Sequence, residues 1–600
     1  MKRVMALALS LAFVPSALAA PAPQDAAASP NITTTHKKSH NSAAADVSQR
    51  LDEMQQAIGA QQQQIQQLRQ QVQSRDAEIQ RLQQQSDQAQ AAAVRAQQKA
   101  DDAVSQSSQQ QSNDTVRGDI ADLKANATNT AVALQETQKR IGDIESPLAL
   151  HYKGISIAPV GFLAAETVWR QHGMGADVNT PFNSIPFNGA SQSDLSEFFG
   201  SGRQSRVGML AEGKIDSAKL TGYVEADFLS AGVTSNNNQS NSYTLRQRQM
   251  WGQAALNNGW SFTGGQMWSL VTETRNGVDN RTEALPMVID AQYHVGFSWA
   301  RQYGFRIAKN INNKMWLAFS VENPQTTFAA HGNSANFLIG TAGLSGGLYN
   351  AFNGTYSFNE APDFVGKAVF QPGWGHYEVF GIVSTFRDRL FPNATATTPS
   401  VAGASNSSVE GWGFGGNFRG SVFHKHMDLG AHFLGGKGVG RYGTSSLPDV
   451  TVDPSGNLVP IKSYQALGTL EWHYPKFDIY TNGGMEYAGR TVTFTSPTAA
   501  VGYGSPTLNN SGCDTETLPG AGGFAPGALT NCTGDTRNLL EGTVGFWYKF
   551  YKGPKGTLQW GPQYSYIVRN TWSGAAGASS AGQPTATQNV FLTSFRYYLP

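Results

Sequence analysis

The residues of this sequence best suited to chemistry are charged side chains in short segments where polar and apolar residues alternate. Charges gathered on one face of such segments can attract, repel or orient dissolved ions. We find no Ser/His/Asp arrangement and no metal-ligand spacing, so we expect neither an enzyme nor a cofactor. The charged residues that we assign to one shared face are Arg206, Glu225, Asp227, Arg246, Arg248, Arg306, Lys367, Arg569 and Arg596.

A second group of charges lies in the segment 271–292, between two alternating segments. If this segment folds inward, its acids are expected to face Arg246 and Arg248. The two sets of charge would then create a transverse field that orients dipolar solutes. The charged residues of this segment are Glu273, Arg275, Asp279, Arg281 and Glu283.

The elements that carry these charges are sixteen alternating, aromatic-rich segments within 150–600. Seven short turns, of about two to five residues, alternate with eight loops of about 12 to 45 residues, so short and long connections segregate to opposite ends. Beyond residue 20 no apolar stretch reaches the roughly 20 residues that a membrane-spanning helix needs. Since lipid satisfies no backbone amide, a membrane protein with this pattern must be a closed barrel. The pattern predicts an all-β, sixteen-stranded antiparallel transmembrane barrel with both termini on the periplasmic side.

The first part of the chain has a different composition. Residues 1–20 have the basic start, apolar run and small-residue end of a secretory signal peptide, and 21–45 form a polar, flexible leader. Residues 46–146 carry apolar heptads, with Leu51 and Ile58 at successive a positions, and predict a periplasmic α-helical coiled coil. A Gln-rich disordered spacer is the alternative for the middle of this segment.

Charge and cysteine content exclude some functions. The net charge of +1 and the lack of a basic stripe argue against nucleic-acid binding. The two cysteines, Cys513 and Cys532, lie in one Gly/Asn/Thr-rich stretch, and in an oxidising compartment a local disulfide is the simplest interpretation. Two thiols without further ligands nearby do not indicate a metal site.

Two segments depart from strict alternation. In the predicted strand 293–308, Arg301 shares a face with aromatic residues, which a β-bulge would explain. In the predicted strand 243–256, Gln247 and Gln249 fall on the outward face. Polar groups are better tolerated against another subunit than against lipid, so this strand is expected to lie at a barrel–barrel interface.

Several segments resemble the DcaP-like porins: Tyr152 to Trp169, Tyr243 to Arg248, Gly264 to Ser269 and Phe319 to Pro324, after a Gln-rich coiled coil. The resemblance implies trimers of sixteen-stranded barrels, a periplasmic coiled coil, and uptake of small organic anions such as dicarboxylates. By position it places Arg246 and Arg248 on the basic pore strand of that family. The chain departs from the usual aromatic C-terminus of outer-membrane proteins, because it ends in Leu599 and Pro600.

The sequence therefore predicts an outer-membrane diffusion channel for small polar solutes, with the coiled coil in the periplasm and in possible contact with the cell wall. Membrane lipids, solutes and a homotrimer are the expected partners. The alternatives are an oligosaccharide- or phosphate-selective porin, for which we find no ladder of pore-facing aromatic residues, and a structural tether or adhesin that displays its long loops.

Overall fold

The computed structural model describes residues 149–229, 244–340, 357–395, 397–424, 426–516, 531–575 and 582–600. It also describes seven helical, exposed positions between Gln84 and Lys99. The remainder of the signal peptide, leader and coiled-coil segments lies outside the described residues. Among the described residues, no helix is both long and apolar enough to cross a membrane.

Sixteen strands of the described residues form one closed antiparallel β-barrel, as the alternation predicts. Each strand pairs with its neighbour in the sequence, and the last strand pairs with the first. The strands are β1 (Ile155–Arg170), β2 (Arg206–Ile215), β3 (Ala218–Asp227), β4 (Arg246–Leu256), β5 (Trp260–Trp268), β6 (Arg301–Ile311), β7 (Met315–Glu322), β8 (Asp363–Phe370), β9 (His376–Leu390), β10 (Ser405–Val422), β11 (Met427–Lys437), β12 (Lys462–His473), β13 (Phe477–Ala488), β14 (Thr536–Gly553), β15 (Gly556–Thr571) and β16 (Thr585–Tyr598).

The barrel closes through β1, whose two halves have different partners. Its first half pairs with β2, from Ile155 opposite Gly213 to Phe162 opposite Arg206. Its second half pairs with β16, beginning with Phe162 opposite Tyr598. The free edge of that second half is covered by a short strand from the first long loop, Glu197–Ser201. Both edges of Glu166–Arg170 are therefore paired within the barrel.

The connections segregate to the two ends of the barrel. On one side the described strands are joined by turns of two to five residues, such as 216–217 and 371–375. On the other side they are joined by loops that range from 13 residues (572–584) to 47 residues (489–535). Short additional strands within the long loops are Phe337–Leu338, Val450–Val452, Leu458–Pro460, Thr491–Ser496 and Ala499–Tyr503.

The outer surface of the barrel is an apolar belt. Along β7, Met315, Leu317 and Phe319 are exposed, whereas Trp316 and Ala318 between them are buried. The same outward alternation recurs around the circumference, which is the pattern expected of a lipid-facing surface. Its exposed side chains include Leu163, Met209, Leu220, Met250, Phe262, Phe305, Phe364, Val383, Phe414, Phe433, Ile479, Val544, Tyr564 and Phe591.

The predicted strand 293–308 begins too early, because the observed strand starts at Arg301. Residues Val295, Phe297 and Trp299 alternate as a strand would, but they belong to the end of a long loop and are buried inside the barrel. No bulge is needed at Arg301, whose guanidinium lies over the rings of Trp268 and Trp299, at 5.0 and 5.2 Å from their centroids.

The prediction that Gln247 and Gln249 share an outward face is also wrong. The register between β3 and β4 shifts at Arg248, since Glu225 lies opposite Gln249 while the next residue, Ala226, lies opposite Gln247. This bulge turns Gln249 inward, where its side-chain oxygen accepts a hydrogen bond from Trp251 Nε1 (3.2 Å). Only Gln247 remains exposed.

Candidate pore and its inner loop

The third long loop, 269–300, lies inside the barrel, and we call it the inner loop. Its backbone is held by side chains of the opposite wall. The N–H of Ile289 donates to Gln563 Oε1 (2.5 Å), and the N–H of Val295 donates to Glu541 Oε2 (2.8 Å). Because a buried backbone amide must find a partner, these polar wall residues fix the path of the loop. The segment that the sequence singled out does fold inward.

Apolar packing also holds the inner loop in place. The side chains of Ile289, Val295 and Phe297 are completely buried, and they belong to one cluster with Phe182 and Ile185 from the first long loop. Burying one such side chain contributes about 1.5 to 3 kcal/mol. Two long loops and the barrel wall therefore share a hydrophobic core within the lumen.

The space left beside the inner loop is a cavity of about 780 Å³ that extends to the short-turn end of the barrel. It is lined by β1 to β4, by the inner loop and by β12 to β16. Among its described lining residues, six are arginine or lysine and three are acidic, so the balance of charge is positive. The cations are Arg206, Arg248, Arg281, Lys549, Lys552 and Arg596, and the acids are Glu225, Asp290 and Asp478.

Aromatic rings position several of these cations. The guanidinium groups of Arg206 and Arg596 lie 4.9 and 5.0 Å from the ring centroid of Phe162. The guanidinium of Arg281, on the inner loop, lies 5.0 Å from the ring of Tyr223. Such contacts stabilise a cation without neutralising its charge. Arg281 has no acidic partner within 4 Å among the described residues, whereas Arg596 also binds Glu166 (2.7 Å) and Arg206 lies 4.0 Å from Glu225.

The basic pair Arg246 and Arg248 is neutralised locally. Arg246 binds both carboxylate oxygens of Asp227 (3.0 and 2.7 Å), and Arg248 bridges Asp227 (2.7 Å) and Glu225 (2.5 Å). Two arginines thus face two carboxylates within one cluster, which is only partly open to solvent. Arg248 also donates to the hydroxyl of Tyr293 on the inner loop (3.2 Å).

Three residues assigned to the pore by alternation face inward but lie beneath loops. Arg306 is buried below the inner loop. Lys367 forms an ion pair with Glu378 (2.7 Å), and both side chains are inaccessible to solvent. Arg569 donates to the main-chain oxygen of Ile185 in the first long loop (2.9 Å). The structure thus brings Arg206, Glu225, Arg248 and Arg596 to the cavity and leaves these three outside it.

Glu273, one of the inner-loop acids expected to face Arg246 and Arg248, lies elsewhere. Glu273 is buried on another part of the wall, where it binds Arg419 Nε (3.0 Å) and His432 Nε2 (2.8 Å). The charge of Glu273 therefore anchors the start of the loop and is shielded from the cavity.

The other charges of the loop lie on a hairpin closed by the pair Thr274 and Glu283. Arg275 and Asp279 are exposed, and Arg281 reaches the cavity. Glu283 is half-buried, and burial raises its pKa to about 7.

Sequence reasoning missed Asp290, which lies beyond the hairpin and lines the cavity. One of its oxygens accepts hydrogen bonds from the backbone N–H groups of Gln292 (2.8 Å) and Thr180 (3.2 Å). Burial nevertheless raises its pKa to about 6. Sequence reasoning also missed Lys549 and Lys552, which lie at the short-turn end of β14. The alternation of that strand does not show how far along it the cavity extends.

Cys513 and Cys532 are joined by a disulfide bond, with their Cα atoms 4.7 Å apart. The bond lies in the loop 489–535 at the long-loop end of the barrel. Cys513 is completely buried and packs against the same hydrophobic core as the inner loop. The disulfide therefore ties this long loop to the core within the lumen.

The closed barrel, its apolar outer belt and the loop inside its lumen define a porin-like outer-membrane channel fold. The structure of the outer-membrane channel DcaP of Acinetobacter baumannii is similar, with a TM-score of 0.50 and 14% sequence identity over 75% of this chain and 99% of that chain. At the level of the fold, this confirms the resemblance to DcaP-like porins.

Two other outer-membrane proteins align over a similar length. OmpT of Vibrio cholerae gives a TM-score of 0.39 at 11% identity, over 75% of this chain and 99% of that chain. OmpF of Salmonella typhi, in complex with daunomycin, gives a TM-score of 0.39 at 8% identity, over 75% of this chain and 100% of that chain. No family model and no curated protein sequence matches this chain.

Proposed function

We propose that this chain is a passive diffusion channel of the bacterial outer membrane that favours small organic anions such as dicarboxylates. The observation that carries the proposal is the excess of cations around the cavity, where six cationic side chains face three acidic ones. Four of the cations are paired with acids, but Arg281 and Lys552 have no acidic partner within 4 Å among the described residues. A field of one sign in a narrow passage with low-dielectric walls raises the local concentration of ions of the other sign.

The positions of the cations favour a solute with two carboxylate groups over a solute with one. Arg206 and Arg596 flank the ring of Phe162 on the barrel wall, whereas Arg281 extends from the inner loop above Tyr223. Cations therefore approach the cavity from two sides. A solute with a carboxylate at each end can bind a guanidinium with both groups, and bidentate contacts between arginine and carboxylate are among the stronger polar interactions.

The cavity also bears on the sugar-channel alternative. Five aromatic residues line it, and each contacts an arginine. Phe162, Tyr223 and Trp547 lie beside a guanidinium, and the hydroxyls of Tyr293 and Tyr598 accept hydrogen bonds from Arg248 and Arg596. These aromatic residues support the arginines, which agrees with transport of anions.

Liposome swelling tests this function. Vesicles that contain the purified chain should swell faster in isotonic succinate than in an uncharged sugar of similar size. Faster entry of the sugar would support the oligosaccharide channel. If the chain is correctly inserted but the vesicles admit no solute, the result would support the structural tether or adhesin.

The orientation in the membrane follows from the connections. We place the short turns in the periplasm and the long loops outside the cell, as in other outer-membrane barrels. Because the barrel then begins on the periplasmic side, the predicted coiled coil 46–146 extends into the periplasm, where contact with the cell wall is feasible.

We also propose a homotrimer, with its interface on β2 to β5. Small residues lie opposite one another in a row across these four strands: Ala211, Gly222, Gly252 and Gly264. They form a shallow outward groove of about 280 Å³, bordered by Met209 and Met250. Because no side chain in the row is larger than a methyl group, the barrel of another subunit can approach closely. The exposed Gln247 lies on β4, one of these strands, and its polar side chain would be better accommodated at a subunit interface than in lipid.

A further inference from the structure

A histidine and two carboxylates meet at the short-turn end of β11 and β12. Asp428 and Glu471 lie directly opposite each other in the register of these strands, and His473 follows two residues after Glu471 on the same face. His473 Nε2 is 3.5 Å from Asp428 Oδ2 and 3.7 Å from Glu471 Oε2. One ligand atom from each of the three residues lies within 4.8 Å of the others.

The other ring nitrogen of His473 has a carboxylate partner of its own. His473 Nδ1 is 3.0 Å from Asp478 Oδ1, and Lys549 Nζ holds the second oxygen of Asp478 at 2.5 Å. An imidazole that donates its Nδ1–H to a carboxylate presents the lone pair of Nε2 on the opposite side. Histidines that bind metal ions in proteins are commonly oriented in this way. Here Nε2 faces Asp428 and Glu471.

The side chain of Glu471 gives a second indication of a metal ion, independent of these distances. Its side chain is completely inaccessible to solvent, yet among the described residues neither of its carboxylate oxygens has a hydrogen-bond partner. Arg419 Nη1 and Arg275 Nη2 lie 3.5 and 3.9 Å from Oε2, and Arg419 directs its Nε to Glu273. A buried carboxylate is costly unless a cation or hydrogen bonds compensate it fully. A metal ion beside Oε2 would provide that compensation.

We propose that Asp428, Glu471 and His473 bind one divalent cation of the first transition row, such as Zn²⁺. Tetrahedral bonds of about 2.1 Å place ligand atoms roughly 3.4 Å apart. The two separations from His473 Nε2, 3.5 and 3.7 Å, are close to this value, and the carboxylate oxygens of Asp428 and Glu471 lie within 4.8 Å of each other. One nitrogen and two carboxylate oxygens are suitable donors for such an ion. The fourth position is left for water or a solute.

An ion bound at this site would affect transport, because the site lies beside the cavity. His473 and Asp478 line the cavity near its short-turn end. His473 is about one-third exposed, so an ion can reach the site from the aqueous phase. A bound cation would offset the charge of two acids and make the mouth of the channel more positive. The binding site itself does not depend on the proposed transport of anions.

Zinc binding by the full-length protein in detergent tests the site. The protein is stripped with a chelator and titrated with Zn²⁺, and bound metal is measured by calorimetry and elemental analysis. We expect one Zn²⁺ per chain that is lost in His473→Asn and in Asp428→Asn. Asp478→Asn, which removes only the partner of Nδ1, should weaken binding by about tenfold.

His424→Asn is the matched control, because His424 is exposed in a turn at the same end of the barrel but belongs to no such cluster. It should bind Zn²⁺ as the unmodified chain does. Heat-dependent migration on gels verifies that each variant still forms the barrel. The proposal is overturned if the unmodified chain binds no Zn²⁺, or if His473→Asn and Asp428→Asn bind it as tightly as the unmodified chain.

Discussion

Arg248 Nη1 lies 2.7 Å from Asp227 Oδ2, and both side chains are almost completely shielded from solvent. The same guanidinium reaches Glu225 in the wall and Tyr293 in the inner loop. Arg248 is the extra residue of the bulge between β3 and β4. The bulge thus places one cation where it joins two wall acids to the loop that narrows the lumen.

Replacing Arg248 with methionine should destabilise the barrel by about 3 kcal/mol, because Asp227 then keeps only Arg246, and Glu225 keeps only the 4.0 Å contact with Arg206. Urea unfolding in detergent measures this loss. The control is Lys219→Met, which breaks the solvent-exposed pair of Lys219 with Glu212 (2.7 Å) and should cost less than about 1 kcal/mol. Equal losses in the two variants would show that the Arg248 cluster does not stabilise the fold.

Arg281 should contribute directly to anion preference, since it projects from the inner loop into the cavity and contacts a ring instead of an acid. We expect Arg281→Gln to reduce the ratio of anion to cation permeability severalfold, as judged from reversal potentials in a salt gradient. Arg389→Gln serves as control, because Arg389 is exposed at the long-loop end and does not line the cavity. An unchanged permeability ratio in Arg281→Gln would show that Arg281 does not contribute to the ion selectivity of the pore.

Acidification should strengthen the preference for anions. Burial raises the pKa of Asp290 to about 6, so this acid is mostly charged at pH 8 and mostly neutral at pH 5. Protonation removes a negative charge from the cavity, and the permeability ratio should rise as the pH falls through 6. In Asp290→Asn that charge is absent at every pH, so the rise should be smaller. An identical pH profile in the two proteins would contradict this role.

Gly252→Trp should convert trimers to monomers, because the new side chain fills the outward groove on β4. A Cβ at Gly252 meets no atom of the described residues within 4 Å, so the monomer itself can accept the change. Gly366→Trp is the matched control on β8, where a Cβ is equally free of described neighbours. Light scattering in detergent measures the subunit number. Trimers in both variants, or monomers in both, would argue against an interface on β2 to β5.

The barrel could be predicted from the sequence because strand alternation and turn length are local properties. The inner loop could not be positioned, because Val295 and Phe297 alternate with Gly296 and Ser298 as strand residues do, although they pack inside the lumen. Alternation separates inward from outward positions, but it does not show which inward residues a loop will cover.

Lys367 illustrates the same limit for the candidate site. Its inward direction follows from its neighbours, whereas its burial beside Glu378 depends on a loop that is distant in the sequence. The cluster of Asp428, Glu471 and His473 could not be predicted from the sequence for a similar reason. Asp428 meets Glu471 only through the register between two strands, which spacing along the chain does not reveal.

The reversal potential of the unmodified protein in planar bilayers is the most direct test of the central claim, that the inner loop and the barrel wall leave a positively charged passage. In a gradient of potassium chloride we predict discrete channel currents whose reversal potential indicates preference for chloride. Channels that prefer potassium, or a correctly inserted barrel that carries no current, would contradict the account.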